Sequence, residues 1–257
     1  MTKPKVGFYD VTGCQGCLLS VIFNEDEILD IINAVDIKEF RFIMGEKYDG
    51  PLDICFIEGA IVSKEDEEVV KKLRERSKVV IALGTCACHG NIQALRKYHD
   101  DKTEDLKYDK KREGQEDVET PSPITNVIDV EYCLPGCPPD RDEIKKFIKE
   151  VLLGKTFYNY QDPVCRECRL SENGCLLDEN KICLGPLVRG GCQAICPTSG
   201  FECYGCRGLT DDANFEEYFA LMKEKGLDLT MVKKHMETFI SLEVNEKLKG
   251  TQWEKLH

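Results

Sequence analysis

Residues 5–17 read KVGFYDVTGCQGC, and the reading of this stretch decides the fold. Its first five residues, KVGFY, form a short apolar run that predicts a buried strand. DVTGCQGC then turns, with glycines for a tight backbone and two cysteines at C-x-x-C spacing. After the turn, Leu18, Leu19, Ile22, Phe23, Ile28, Leu29 and Ile32 follow a helical period and predict a helix over 18–35. The same order recurs further along. Residues 37–44 predict a second strand, and 53–58 (DICFIE) a third that ends at Gly59. Ser63 is placed to cap a helix that runs to Arg76. Acids stand early in it (Glu65, Asp66, Glu67, Glu68) and bases late (Lys71, Lys72, Arg74, Arg76), the order a helix dipole favours. Residues 78–83 (KVVIAL) predict a fourth strand ending in GTCACHG. Residues 127–132 predict a fifth ending in CLPGCPP, and 140–153 a helix. Short apolar strands alternating with helices predict an α/β domain with a parallel sheet and helices on both faces.

That prediction brings four cysteines together. Cys14 and Cys17 follow the first strand, Cys86 the fourth and Cys137 the fifth. Ligands of open α/β sheets bind past the carboxyl ends of the strands. Four thiolates from three loops can converge there on one metal centre, built by the fold and not by local spacing.

Eight more cysteines crowd the second half: Cys165, Cys168, Cys175, Cys183, Cys192, Cys196, Cys203 and Cys206. The stretch opens and closes with C-x-x-C. No helical or strand period long enough to bury a face runs through 164–208, so two centres of four thiolates each are expected to hold it. Zinc and iron–sulfur clusters both fit four cysteines. The intervals between these ligands are 2, 6, 7, 8, 3, 6 and 2 residues, more open than most zinc modules. Cysteine stands before proline at Cys137 and Cys196, as it does in cluster-binding chains. Both features favour iron. Beyond the cysteines, 99–123 is a charged insertion read as a solvated loop, and 214–225 and 227–242 predict amphipathic helices.

Composition excludes some classes. The 257 residues carry a formal net charge of −12, which argues against a nucleic-acid surface. No apolar run reaches the ~18 residues of a membrane span. The start of the chain shows no signal segment, so a cytoplasmic protein is expected. Fifteen cysteines in such a chain point to metal and not to disulfides.

GFYDVTGCQGC, DICFIEGA, GTCA and PGCPP in the first half, with PVCRECRL, CLGPLVRGGCQAICP and ECYGC in the second, resemble the small subunits of nickel–iron hydrogenases. The likeness is greatest to the small (delta) subunits of the cytosolic sulfhydrogenase type and less to the dye-reducing and deazaflavin-reducing enzymes of methanogens. It covers almost the whole chain. The resemblance implies a flavodoxin-like parallel sheet over 1–157 that carries a proximal cluster. A small irregular iron–sulfur domain with C-terminal helices follows over 158–257. It also implies three 4Fe-4S clusters. The proximal one falls to Cys14, Cys17, Cys86 and Cys137, the distal one to Cys165, Cys168, Cys175 and Cys183, and the medial one to Cys192, Cys196, Cys203 and Cys206. The interleaved pairing of bacterial ferredoxins leaves the grouping of the last eight open. Glu58, in EGAI, matches a family glutamate beside the proximal cluster. Asn91 departs from the pattern, standing where relatives often have glycine.

Other residues have plainer readings. Cys88 and Cys133 are rival ligands near Cys86 and Cys137, and Cys55 reads as core. His89 reads as a local hydrogen-bonding group. Gly13, Gly16, Gly84 and Gly136 flank the ligands, and Arg166, Arg169, Arg189 and Arg207 lie among the thiolates. The function implied is that of an electron-transfer subunit of a soluble hydrogenase, with no bond chemistry and no catalytic residue of its own. Its partners are then a nickel–iron large subunit and flavin or iron–sulfur reductase subunits. Two alternatives stand beside it. One is an electron-transfer module of a related complex without nickel. The other is a flavin-binding protein with structural zinc, which the two thiols of VTGCQGC disfavour.

Overall fold

The computed structural model describes residues 3–23, 33–98 and 116–256, in two compact units, Met1–Phe157 and Tyr158–His257. The strands in chain order are β1 (Lys5–Asp10), β2 (Asp36–Phe40), β3 (Leu52–Glu58), β4 (Ile61–Ser63), β5 (Ser77–Leu83), β6 (Asp117–Ser122) and β7 (Tyr132–Leu134). Five of them form a parallel sheet in the order β2-β1-β3-β5-β7, and β4 pairs antiparallel with β6. Among the described residues, the first unit includes the helices α1 (Gly16–Ile22), α2 (Lys64–Glu75), α3 (Gly84–His89) and α4 (Arg141–Leu152).

Alternation along the strands supplies two cores. Val6 and Phe8 of β1, Ile54 and Phe56 of β3, and Ile81 and Leu83 of β5 face Leu18, Val21, Ile144, Phe147 and Ile148. Tyr9, Cys55, Ile57, Val80 and Ala82 face the other way, onto Val70 and Leu73 of α2. A strand buried on both faces has no polar side, which is why KVVIAL and DICFIE read as continuous apolar runs. The caps follow the sequence. Ser63 accepts a bond from the Asp66 amide (3.2 Å) while the Asp66 carboxylate accepts from the Ser63 amide (2.9 Å), a reciprocal capping box. Asp140 caps α4 through the Glu143 amide at 3.0 Å.

Three expectations are corrected. The second strand stops at Phe40, where the chain turns, short of Met44. The fifth strand is Tyr132–Leu134, later than 127–132. Ile124, on a 3₁₀ turn after Pro123, and Ile128 beyond that turn serve instead as plugs for the core on the α2 face. Part of the charged insertion is strand β6, which the polar sequence DVETPS concealed. The later part of the helix predicted over 18–35 (Ile28, Leu29, Ile32) and most of the charged insertion lie outside the described residues.

The second unit contains α5 (Val164–Leu170), α6 (Ile195–Thr198), α7 (Phe215–Glu224) and α8 (Leu229–Leu248), the last broken at Ile240. Asn214 caps α7 through the Glu217 amide (3.1 Å), and Asp228 caps α8 through the Thr230 amide (2.9 Å). The expectation that 164–208 has no apolar core is also corrected. Val164, Leu176, Leu177, Leu184, Leu187 and Val188 are buried with Phe215, Tyr218, Phe219, Met222, Val232, Met236 and Val244. Cys183 and Cys203 belong to the same buried cluster. The partners come from α7 and α8, distant in sequence, so no local period announced them. Among the described residues no helix is long and apolar enough to cross a membrane.

Candidate metal centres

Sheet register levels the first centre. Asp10 pairs with Glu58, Glu58 with Leu83 and Leu83 with Leu134, so four strand ends form one row. Cys86 and Cys137 each lie three residues beyond that row (83 to 86, 134 to 137), and Cys14 lies four beyond Asp10. In this strand order the direction of winding reverses between β1 and β3, and the crevice opens at their carboxyl ends. Cross-links fix the loops. The Thr85 amide donates to the Gly136 carbonyl (3.0 Å), and the Gly136 amide to the Thr85 hydroxyl (3.3 Å). The Ala60 amide donates to the Thr12 carbonyl at 2.8 Å. Gly84 has φ +85, and a Cβ there would stand 2.2 Å from the Cys17 Sγ, so only glycine lets that sulfur in.

The four thiols share one electrostatic environment. Burial raises the pKa of Cys17, and Glu58, Cys86, Cys137 and Cys14 raise it further. Burial also raises Cys137, with Cys86 and Cys14 adding to it. Cys86 is raised by burial against the opposing hydrogen bonds of Asn91 and Gln93. Four mutually repelling thiolates held together are stable only with positive charge among them. Their chemistry fits the four-cysteine donor set of a 4Fe-4S cluster.

Glu58 is the acid of the site. It is 1% exposed, and its Oε2 accepts the Leu18 amide at 2.8 Å. Burial raises its pKa, while hydrogen bonds from the amides of Leu18, Cys17 and Gln15 lower it. The carboxylate thus ties the third strand to the loop that carries C-x-x-C.

The neighbouring thiols face elsewhere. The Cys88 Sγ donates to the Ala82 carbonyl at 3.4 Å, and Cys88, Cys133 and Cys55 all pack in the core on the α2 face. His89 is half-buried at the end of α3.

In the second unit the eight cysteines fall into two linked neighbourhoods. Cys165 is pushed up to about 12 by burial and then by Cys183, Cys168 and Cys175. Burial raises Cys183, with Cys168 and Cys175 adding to it. Cys203 is raised by burial, Cys206, Cys183 and Cys192, and Cys192 by burial, Glu167 and Cys196. The two neighbourhoods meet where the Cys203 amide donates to the Cys183 Sγ (3.4 Å) and the Leu184 amide to the Cys203 carbonyl (2.9 Å). Tyr218 braces the junction by donating to the Cys183 carbonyl at 3.0 Å.

Of the four arginines, one is buried against the thiols. Arg207 is 2% exposed, and its charge lowers the Cys192 pKa. Its Nε donates to the Gly190 carbonyl. Gly191, at φ +96, leaves room for the guanidinium, which would lie 2.6 Å from a Cβ placed there. Arg169 acts on Cys165, whereas Arg189 and Arg166 pair with Asp211 and Asp162 at the surface.

Sequence reasoning missed the side chains that reach sulfur from outside the ligand set. The Asn91 Nδ2 lies 3.1 Å from the Cys86 Sγ and 3.9 Å from the Cys137 Sγ. The Asn173 Nδ2 lies 3.7 Å from the Cys168 Sγ and 2.9 Å from the Thr198 hydroxyl. A signal existed, because each asparagine stands five residues after its cysteine. The signal is loose, since Cys175 and Asn180 share the spacing. Glu167 accepts the amides of Gly191 (2.8 Å) and Ala194 (3.2 Å) and so shapes the loop around Cys192. Among the described residues no three His, Cys, Asp or Glu side chains converge as a single bound ion would require.

Comparison with known proteins agrees with this architecture. Residues 14–151 match the family described as NADH ubiquinone oxidoreductase, 20 Kd subunit. The chain is 35% identical over 226 residues to the sulfhydrogenase 2 subunit delta of Pyrococcus furiosus, covering 86% of this chain and 92% of that one. It is 34% identical over 239 residues to a subunit of the F420-non-reducing hydrogenase vhu of Methanocaldococcus jannaschii, covering 80% and 82%. Among solved structures, a chain of an NAD+-reducing [NiFe]-hydrogenase in the H2-reduced state aligns at TM-score 0.55 and 27% identity, over 62% of this chain and 96% of that one. A chain of the Dm. baculatum [NiFeSe]-hydrogenase aligns at TM-score 0.58 and 16% identity, over 85% and 97%, which speaks to the fold alone.

Proposed function

Since the chain belongs to the NADH ubiquinone oxidoreductase 20 Kd subunit family, and within it is a hydrogenase small subunit, we propose that it relays single electrons through three 4Fe-4S clusters. What supports this reading is that Cys14, Cys86 and Cys137 act on Cys17, that Cys168, Cys175 and Cys183 act on Cys165, and that Cys206, Cys183 and Cys192 act on Cys203. Cys14, Cys17, Cys86 and Cys137 hold the proximal cluster in the first domain, 1–157. Cys165, Cys168, Cys175 and Cys183 hold the distal one in the second, 158–257. Cys192, Cys196, Cys203 and Cys206 hold the medial one there too. A bound 4Fe-4S cluster supplies one-electron transfer. The chain's own residues bind it and set the charge around it. Glu58 orients the Cys14–Cys17 loop, and Arg207 offsets thiolate charge at Cys192.

The electrons pass between a nickel–iron large subunit and a flavin or iron–sulfur reductase subunit, in the cytoplasm. The NAD+-reducing enzyme whose chain aligns with this one supports a nicotinamide-linked partner. The family match over 14–151 also supports a second reading, an electron-transfer module in a complex without nickel.

Metal and acid-labile sulfide analysis of the complex, purified anaerobically through this chain, tests both. The expected result is about 12 iron atoms from this chain, with nickel in a co-purifying subunit. Iron and sulfide without nickel would select the second reading. Zinc without sulfide would overturn both.

A further inference from the structure

Asn91 occupies a position where its side chain must be the reason for its presence. Its φ is +51, in the left-handed region that glycine adopts freely and other residues rarely do, and it follows Gly90, already at φ +84. It is 3% exposed. Its Oδ1 is buried with no hydrogen-bond partner among the described residues. A left-handed asparagine with half its carboxamide unsatisfied is costly relative to glycine. The other half of the amide accounts for the choice. Nδ2 stands 3.1 Å from the Cys86 Sγ and 3.9 Å from the Cys137 Sγ, between thiols that follow two different strands. A ligating thiolate has no proton, so only the N–H end of the carboxamide can face it. Gln93, further along the same 3₁₀ turn, also hydrogen-bonds Cys86.

Resting on the cluster reading above, we propose that Asn91 is a positioning residue that sets the reduction potential of the sheet-edge cluster. Its amide hydrogens are shared between the thiolates of Cys86 and Cys137. Reduction adds one negative charge to the cluster and its thiolates, and a hydrogen-bond donor at sulfur stabilises that more negative state. Asn91 therefore holds the potential above the value that the same four cysteines would give unaided. It does so without a charge, and hence without a pH dependence of its own.

Two variants test this in the assembled complex by EPR-monitored redox titration. The sheet-edge signal is identified as the one lost in Cys86→Ser. Asn91→Gly suits the left-handed backbone and removes the donor. Asn91→Asp keeps the shape, replaces the donor by an oxygen and adds negative charge. The expected result for Asn91→Gly is a lower midpoint, by about tenfold in the reduced-to-oxidised ratio at fixed ambient potential, or ~59 mV for one electron. Asn91→Asp falls further, and the other two signals stay in place. An iron-loaded Asn91→Gly or Asn91→Asp with the wild-type midpoint overturns the inference. So does loss of iron while the clusters that remain keep the wild-type midpoint, since that is the mark of a merely structural residue. A wild-type complex without iron and sulfide overturns the cluster reading beneath it as well.

Discussion

The first unit brings one of its four sheet-edge cysteines, Cys17, into an apolar core and keeps Cys14, Cys86 and Cys137 outside its two core clusters. The second unit threads Cys183 and Cys203 through the core itself, between Leu184 and the helices α7 and α8. The charges differ as well. Near Cys17 the buried ionisable neighbour is an acid, Glu58, and the groups that touch sulfur are neutral carboxamides. Near Cys192 the buried neighbour is a base, Arg207. One chain thus offers two kinds of cysteine site. One is a rim levelled by strand register that shares Cys17 with its core, and the other is a knot that shares both Cys183 and Cys203 with its core.

The largest effect should come from removing iron. Anaerobic chelation is expected to speed amide exchange around Leu184 and Cys203 by on the order of 100-fold or more, because thiolate ligation there also orders the core. Strands β3 and β5 should stay protected. Equal deprotection of both units, followed by mass spectrometry, would erase the contrast.

The rim can be probed one thiol at a time. Cys86→Ser should lose about four of the ~12 iron atoms, whereas Cys88→Ser should lose none, because that sulfur faces the Ala82 carbonyl. Iron and sulfide analysis reads the difference, and the reverse result would exchange the ligand.

Charge should act with opposite sign in the two units. Glu58→Gln removes a buried negative charge and should raise the midpoint of the sheet-edge centre. Arg207→Gln removes a buried positive charge and should lower that of the Cys192 centre. Each shift is expected at roughly tenfold in the reduced-to-oxidised ratio, ~59 mV. Glu58→Gln also turns an amide acceptor into a partial donor facing Leu18, at about 1–3 kcal/mol in stability. Shifts of the same sign in a redox titration would refute the contrast of charge.

The smallest effect belongs to Tyr218→Phe. It removes the hydroxyl that donates to the Cys183 carbonyl and keeps the ring in the core. A loss of about 1 kcal/mol is expected, seen as a fall of a few degrees in the melting temperature of the second unit. No fall would mean that the junction needs no brace.

Much of the first unit was legible because its rules are local. DICFIE and KVVIAL are apolar on both faces, Ser63 and Asp66 form a cap within four residues, and the cysteines follow strand ends. The fifth strand was misplaced because Val127, Ile128 and Val130 have the apolar character of a strand but pack against the α2-face core ahead of it. The core of the second unit was invisible because Val164, Leu176, Leu184 and Leu187 have no period and find their partners some tens of residues later. The roles of Asn91 and Arg207 were out of reach for another reason. A hydrogen bond to sulfur depends on a left-handed backbone, and a buried guanidinium on a glycine opposite it, and composition states neither.

The level row Asp10–Glu58–Leu83–Leu134 also divides the chain by its tolerance of length change. A residue inserted before β7 would lengthen a loop at the amino edge and leave the sulfurs in place, at little free-energy cost. One inserted between Leu134 and Cys137 would carry a sulfur up to ~3.3 Å off its station, the rise of one extended residue. Insertions and deletions should therefore accumulate at the amino edge of this sheet and be purged from the few residues between each strand end and its cysteine.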